Sequence, residues 1–340
     1  MIIQTINHIT DIEGLEKLLR ELKSIGIDGV RINLSKLPQD EISKKIKKLY
    51  PIFNNFNLEI YLDFPYPKGK ARIRETNFCD DTGFRFEIQK GEVYTITISH
   101  EIYSTEPNCI LLDENTIFSS EEGELKFYSD GEGGFLVREK KTNYLKVEAV
   151  NSFEGYIGKS IQCGYIEIEK DFEDIIQQIN YPDVKYIFSF IENSSEIRNL
   201  ASKISGSIIP KIETKLAVQD IQDIVEESDE ILVARGDLAL DITLSDYLDS
   251  IKRVVNECKG KKDIIFCTDV LACSGNRLVP YRSEIFDLFL IKSLGCDKIV
   301  LPCSKEINLL TKGEKSPNEI MKKIKKELTS KVEVINKIVF

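Results

Sequence analysis

Two strand ends in this chain could do chemistry together. Ile208-Ile209-Pro210-Lys211-Ile212-Glu213 reads as a strand that delivers a lysine and a glutamate at spacing two, which puts both on one face. Glu230-Ile231-Leu232-Val233-Ala234 is a second apolar run, and it stops abruptly in Arg235-Gly236-Asp237-Leu238, presenting an aspartate at the turn. Two carboxylates and a lysine on one rim suit a divalent cation and a phosphorylated ligand. Mg²⁺ takes one or two carboxylates and fills its remaining sites with substrate oxygens and water, and a fixed lysine stabilises charge spread over a transferring phosphoryl group. Arg31, Asn33 and Ser35 likewise recur at spacing two along Gly29–Ser35, and Leu62-Asp63 closes a further run. The competing reading is a set of solvated turn carboxylates, a lysine that snorkels to water and a structural hydrogen-bond network.

The elements that must hold these residues alternate. Strands are expected at Ile2–Ile6, Gly29–Ser35, Leu58–Phe64, Tyr186–Ile191, Ser207–Glu213, Glu230–Ala234, Asp263–Thr268 and Lys298–Leu301. Between and after them, helical spacing marks Ile12–Ile25, Gln39–Leu49, Asp171–Ile179, Glu196–Ile204, Val218–Glu226, Asp246–Cys258, Ser283–Leu294 and a basic terminal helix near Asn318–Leu328. From Arg74 to Gly158 the period shortens to segments such as Glu92–Ser99, Leu125–Tyr128, Gly134–Glu139 and Tyr144–Val150, punctuated by Gly, Asp and Asn, which reads as a small all-β insert. Taking residues 74–158 out of 340 leaves about 255 and eight strands, near the roughly 250 residues of an eight-stranded (β/α)8 barrel, whose sites lie at strand C-termini. The expected fold is therefore α/β: a TIM barrel with a small all-β lid domain inserted after strand 3, divided 1–73, 74–158 and 159–340. An open doubly wound sheet is the runner-up, but no Gly-rich phosphate loop follows the first strand.

Composition narrows the partners. With 42% hydrophobic and 30% charged residues and a net charge of −10, the chain lacks the basic footprint of a nucleic-acid or anionic-membrane binder. The first residues carry no basic region, long apolar core or cleavage site, and no run reaches the roughly 18 apolar residues of a spanning helix, so a cytoplasmic protein is expected. Eight cysteines without a CxxC pair and only two histidines, His8 and His100, argue against a zinc site and for reduced, mostly buried thiols. Neither histidine has an evident Ser or Cys partner for a hydrolase triad.

In order and spacing, Gly29-Val30-Arg31-Ile32-Asn33-Leu34-Ser35, Leu62-Asp63, Ser189-Phe190-Ile191, Lys211-Ile212-Glu213, Val233-Ala234-Arg235-Gly236-Asp237-Leu238 and Thr268 with Pro280-Tyr281-Arg282-Ser283-Glu284 resemble pyruvate kinase. The insert resembles that family's lid, with Lys90-Gly91-Glu92-Val93-Tyr94-Thr95-Ile96-Thr97 and Tyr128-Ser129-Asp130-Gly131 in the place of lid strands. Against the family pattern, the chain reads as a divergent short form, a barrel plus lid without the C-terminal regulatory domain. The resemblance implies that Lys211, Arg31 and Thr268 are catalytic, with Arg31 on phosphate, and that Glu213 and Asp237 hold Mg²⁺ (or Mn²⁺). It also implies that Asn33, Ser35 and Asp63 hold K⁺, that Ser189, Arg235, Gly236 and Asp237 bind substrate, and that Arg31 with Arg72 or Arg74 meets nucleotide phosphates. Arg72 and Arg74 belong to Lys68-Gly69-Lys70-Ala71-Arg72-Ile73-Arg74, a charge run that also suits a solvated face.

The implied activity is Mg²⁺- and K⁺-dependent phosphoryl transfer between phosphoenolpyruvate and ADP, giving pyruvate and ATP, in a protein able to form a homo-oligomer. Several positions depart from the family. Lys36 replaces a histidine, Phe64 a threonine, Thr214 an asparagine, Ala239 a glycine and Asp269 a glutamine. Pro302-Cys303-Ser304-Lys305-Glu306 lacks the Ser-Gly-Glu-Thr pattern, and the lid exit at Gly158-Lys159-Ser160 is altered. Two alternatives therefore stand beside it: the same pocket turned to another phosphorylated or enolate substrate, and a non-catalytic paralogue.

Overall fold

The computed structural model describes residues 1–129, 131–167, 171–274, 277 and 279–340, the side chains of 171 and 317–319 apart. It divides into two compact units, Met1–Pro65 with Lys170–Phe340, and Tyr66–Glu169.

The first unit is a closed barrel of eight parallel strands. In order these are Ile2–Ile6, Gly29–Asn33, Glu59–Thr76 (through its first residues), Val184–Ser189, Ser207–Ile212, Glu230–Ala234, Asp263–Cys267 and Lys298–Leu301, the last pairing back onto the first. Each strand is a β-branched, apolar run, and helices cover the outside. Ile12–Ser24 shows why: Leu15, Leu18, Leu19 and Leu22 recur at helical spacing and all are buried, with Glu13 in the first turn.

Side chains of period two fill the inside in layers. Ile3, Tyr61, Ile187, Ile209, Leu232, Ile265 and Val300 form a buried middle layer, and Ala234 and Cys267 extend the same cluster one pleat toward the strand C-termini. One pleat toward the strand N-termini, the inward positions are Glu59, Lys185, Glu230, Asp263 and Lys298; one pleat toward the C-termini they include Thr5, Arg31, Asp63, Ser189 and Lys211. Charge is thus layered on both sides of an apolar plug.

The second unit is a β-rich body with its own core of Phe86, Tyr94, Tyr128 and Phe135, against which Phe153 packs. One short helix, His100–Thr105, interrupts the otherwise all-β expectation. The bounds drawn from sequence, 74 and 158, fall inside this unit. The third strand runs unbroken from Glu59 to Thr76 through Pro65, Pro67 and Gly69, residues that fit extended backbone as well as a break, and Ser160–Glu167 pairs antiparallel with residues 68–72. Asp130, cited for the resemblance, lies outside the described residues.

Elsewhere the differences are local. Helices Arg235–Asp241 and Lys305–Thr311 were not expected, Val218–Glu226 is two short helices, Lys215–Gln219 and Ile221–Glu227, and the terminal helix spans Pro317–Ile338. All eight cysteines are free. Among the described residues no helix is long and apolar enough to cross a membrane.

Candidate active site

At the C-terminal rim four side chains of the first unit form an alternating chain of charge. From the second strand, Arg31 donates through Nε to Asp63 Oδ2 at 2.9 Å and through a second nitrogen to the same oxygen, while its remaining nitrogen reaches Thr5 Oγ1 at 3.1 Å. Asp63, from the third strand, lies 3.7 Å from Lys211 Nζ on the fifth. Lys211 donates to Ser189 Oγ at 3.0 Å and sits 3.0 Å from Glu213 Oε1. Glu213 Oε2 accepts the backbone N–H of Phe190 at 2.7 Å. Asp63 is only 3% exposed and Glu213 1%.

Electrostatics hold the two cations of this chain in their charged form. Burial opposes the ammonium of Lys211, yet Asp63, Glu213 and Asp237 outweigh it and the repulsion of Arg31, so its pKa lies above the ordinary lysine value. Arg31 follows the same logic, with burial opposed chiefly by Asp63. Lys211 thus lies under the influence of three acids, Asp63, Glu213 and Asp237, and one neighbouring cation, Arg31.

Backbone strain gathers at the same rim. Phe190, just past the fourth strand, has φ 54°, and past the seventh strand Thr268, Asp269 and Leu271 have φ 73°, 57° and 52°. Non-glycine residues there cost about 1–3 kcal/mol each and cluster at functional sites. Asp237 lies in the first turn of Arg235–Asp241, beside Gly236. A Cβ on Gly236 would stand 2.7 Å from Thr268 Cγ2, so glycine is what lets the Thr268 turn approach this helix. The Arg235 guanidinium points sideways, to the carbonyls of Cys267 at 3.2 Å and Thr268 at 2.9 Å and, in a two-pronged pair, to Asp287.

The sequence candidates sort as follows. Arg31, Asp63, Ser189, Lys211 and Glu213 are joined by direct contacts, and Thr268 meets Gly236. Asn33 and Asp63 are register partners on adjacent strands. Ser35 does not share their strand face: the strand ends at Asn33, and Ser35 lies in a short 3₁₀ turn that Asn33 caps, with Oδ1 accepting from Ser35 N at 3.2 Å and Oγ at 2.8 Å. Arg72 and Arg74 belong to the second unit, where Arg72 donates to the Gly158 carbonyl at 3.1 Å and Arg74 pairs with Asp113.

Two departures have a local explanation. Thr214 caps the helix Lys215–Gln219, accepting from Ala217 N at 3.1 Å, a task that threonine and asparagine share. Phe64 is fully buried and points away from Asp63 into a cluster with Phe172, Tyr186 and Phe188. Residues missed from sequence are Thr5, the Phe190 amide and Asp287. Only Asp287 left a signal, as the lone acid within Ile285-Phe286-Asp287-Leu288-Phe289-Leu290-Ile291.

Glu213 and Asp237 offer hard carboxylate oxygens, a donor set that fits Mg²⁺ or Mn²⁺. Among the described residues there is no group of three or more His, Cys, Asp or Glu that could hold a metal ion.

A family model described as "Pyruvate kinase, barrel domain" matches residues 1–306. Among curated proteins, the chain is 28% identical to a pyruvate kinase of Pyrobaculum aerophilum, over 88% of this chain and 66% of that one. It is 25% identical to a pyruvate kinase of Thermotoga maritima (99% and 72%), and 24% identical to plastidial pyruvate kinase 2 of Arabidopsis thaliana (84% and 50%). The chain thus spans from half to nearly three quarters of the length of these relatives.

Proposed function

Because the chain belongs to the pyruvate kinase family, we propose that its barrel rim transfers a phosphoryl group between phosphoenolpyruvate and ADP, giving pyruvate and ATP. One observation carries this reading: the buried chain Arg31–Asp63–Lys211–Glu213, with Asp237 acting electrostatically on Lys211, sets two cations among three carboxylates where an anion would have to bind. Those carboxylates oppose an anion unless cations come with it. Glu213 and Asp237 would hold Mg²⁺, which when bound supplies positive charge to phosphoryl and enolate oxygens. Asn33 and Asp63, with Ser35 displaced to the adjacent turn, are the residues proposed for K⁺.

The protein's own side chains then have definite tasks. Arg31 and Lys211 face the transferring group and stabilise charge on its equatorial oxygens, already oriented by Asp63, Ser189 and Glu213, so little reorganisation is needed. The first-turn amides of Gly236 and Asp237 meet the substrate carboxylate. As the bond between phosphorus and the enol oxygen breaks, an ADP oxygen forms the new one. The enolate carbon then takes a proton from the side of Thr268, whose hydroxyl orients the donor.

Pyruvate formation from phosphoenolpyruvate, measured with Mg²⁺ and K⁺ and with or without ADP, tests this. ADP-dependent turnover that disappears in Lys211→Met supports it, and no turnover under any condition overturns it. A second reading, another phosphorylated or enolate substrate in the same pocket, is favoured by Asp269, which adds an exposed negative charge next to Thr268. It predicts Mg²⁺-dependent binding of oxalate, an enolate mimic, without ADP turnover.

A further inference from the structure

We propose that Asp287 is a positioning residue for the candidate site: acting through Arg235, it fixes the strained turn that places Thr268 against Gly236 and Asp237. Its effect on turnover rests on the phosphoryl-transfer reading above; its effect on the turn does not.

One guanidinium ties three elements of the barrel unit. Arg235 opens the helix after the sixth strand. Its Nε and one terminal nitrogen donate to the carbonyls of Cys267 and Thr268 at the exit of the seventh strand, and both terminal nitrogens meet the Asp287 carboxylate, one at 2.9 Å. Asp287 comes from the helix Arg282–Ser293 that follows. Arg235 is 12% exposed and Asp287 28%, so the pair is largely shielded from water and salt.

The two carbonyls that Arg235 holds are those where the chain enters its left-handed run, Thr268, Asp269 and Leu271. Backbone of that kind persists only where its surroundings over-determine it. Here the determinants stand on two sides: hydrogen bonds from Arg235 grip the carbonyls, and Gly236 leaves room for Thr268 Cγ2. A guanidinium has a fixed planar fork, so its pose is set by the partner it meets with two prongs. Asp287 is that partner. Replacing it leaves a shielded cation that can turn toward water and release both carbonyls, while every group facing the substrate is untouched.

Amide hydrogen exchange on the full chain, without ligand, tests the structural half. In Asp287→Ala the segment Thr268–Ala272 should exchange at least about tenfold faster, with Phe190–Asn193, a second exit at the same rim that begins on a left-handed residue, unchanged. Asp287→Glu should restore most of the protection, and Arg235→Lys should mimic the loss. Unchanged exchange in the turn overturns the proposal. So does a rise of equal size across the whole barrel, which marks a merely structural residue. Steady-state kinetics test the other half: kcat for pyruvate formation should fall by up to about 10²-fold with KM for phosphoenolpyruvate little changed, and Asp287→Glu should recover it. Should the unaltered protein turn over no phosphoenolpyruvate, the phosphoryl-transfer reading fails, and exchange still decides the role of Asp287.

Discussion

Each end of this barrel sets two cations among carboxylates, yet the two ends differ in how deeply those carboxylates are buried. At the N-terminal end the charges alternate along Glu59, Lys185, Glu230, Lys298 and Asp263, so that each lysine stands between two acids, at 3.1 Å from Glu59 and Asp263 at the two extremities. Those extremities are wet: Glu59 is 42% exposed and Asp263 54%. Water screens the excess negative charge, and the network is complete as it stands. At the C-terminal end Asp63 and Glu213 are almost fully buried, so water screens their charges little. The backbone there is also strained, at Phe190 and Thr268. What separates the two ends is how deeply the carboxylates are buried, more than how many charges there are.

The sharpest way to break this comparison is to remove the matching lysine from each end. Lys211→Met should cut ADP-dependent turnover by at least about 10²–10³-fold, the usual cost of losing a preorganised electrostatic group. Lys298→Met should spare turnover per folded molecule and lower stability by about 2–3 kcal/mol in urea unfolding. That is below the 3–5 kcal/mol of a broken buried pair, because Glu230 keeps Lys185 and Asp263 turns to water. Loss of turnover in a fully folded Lys298→Met would dissolve the distinction between the ends. A smaller, parallel contrast concerns the cation. Asp237→Asn should weaken the apparent Mg²⁺ affinity by about tenfold or more, whereas Asp263→Asn should leave it unchanged; a titration of rate against Mg²⁺ reads both.

Much of this was legible in the sequence, because a barrel interior has period two and a strand end has a definite direction. Lys211 and Glu213, or Arg31 and Asn33, declare a common face by spacing alone. The change of period from Arg74 marks the insert in the sequence, whereas the third strand continues past Phe64 to Thr76. Ser35 was misread because spacing two holds only while the strand continues, and this one stops at Asn33. The clamp on Thr268 was illegible for a deeper reason. Arg235 and Asp287 meet across 52 residues, and nothing local in either segment signals the other.

Gly236 offers a finer test of how closely the rim is built. Alanine there would place its Cβ 2.7 Å from Thr268 Cγ2, and relief of such overpacking costs about 1 kcal/mol or more, roughly fivefold in rate if the shift falls on the turn. Removing the methyl with Thr268→Ser should return most of the lost kcat, since the two changes share one contact and cannot be additive. A double variant no better than Gly236→Ala would mean that the turn is not held by this contact.

The smallest expected effect is with pH. Lys211 has a folded-state pKa above its ordinary 10.5, so the stability it contributes is fully present below the unfolded value and is lost only as pH rises through the higher folded one. Neither kcat nor unfolding free energy should therefore show a limb assignable to Lys211 between about pH 8 and 10.5, and a limb there that vanishes in Lys211→Met would contradict the chain of charges described above. His8, just past the first strand, behaves oppositely. Burial, then Lys312, Lys36 and Lys45, lower its pKa below 6.5, so the folded state takes up its proton less readily than the unfolded one. Stability should dip slightly as pH falls through 6.5 toward the lower folded value, and His8→Asn should flatten that dip without altering the alkaline side. Lys211 is held charged by its acids and His8 is held neutral by burial and then by its lysines, so a fall in pH through 6.5 should titrate His8 and leave the charge of Lys211 unchanged.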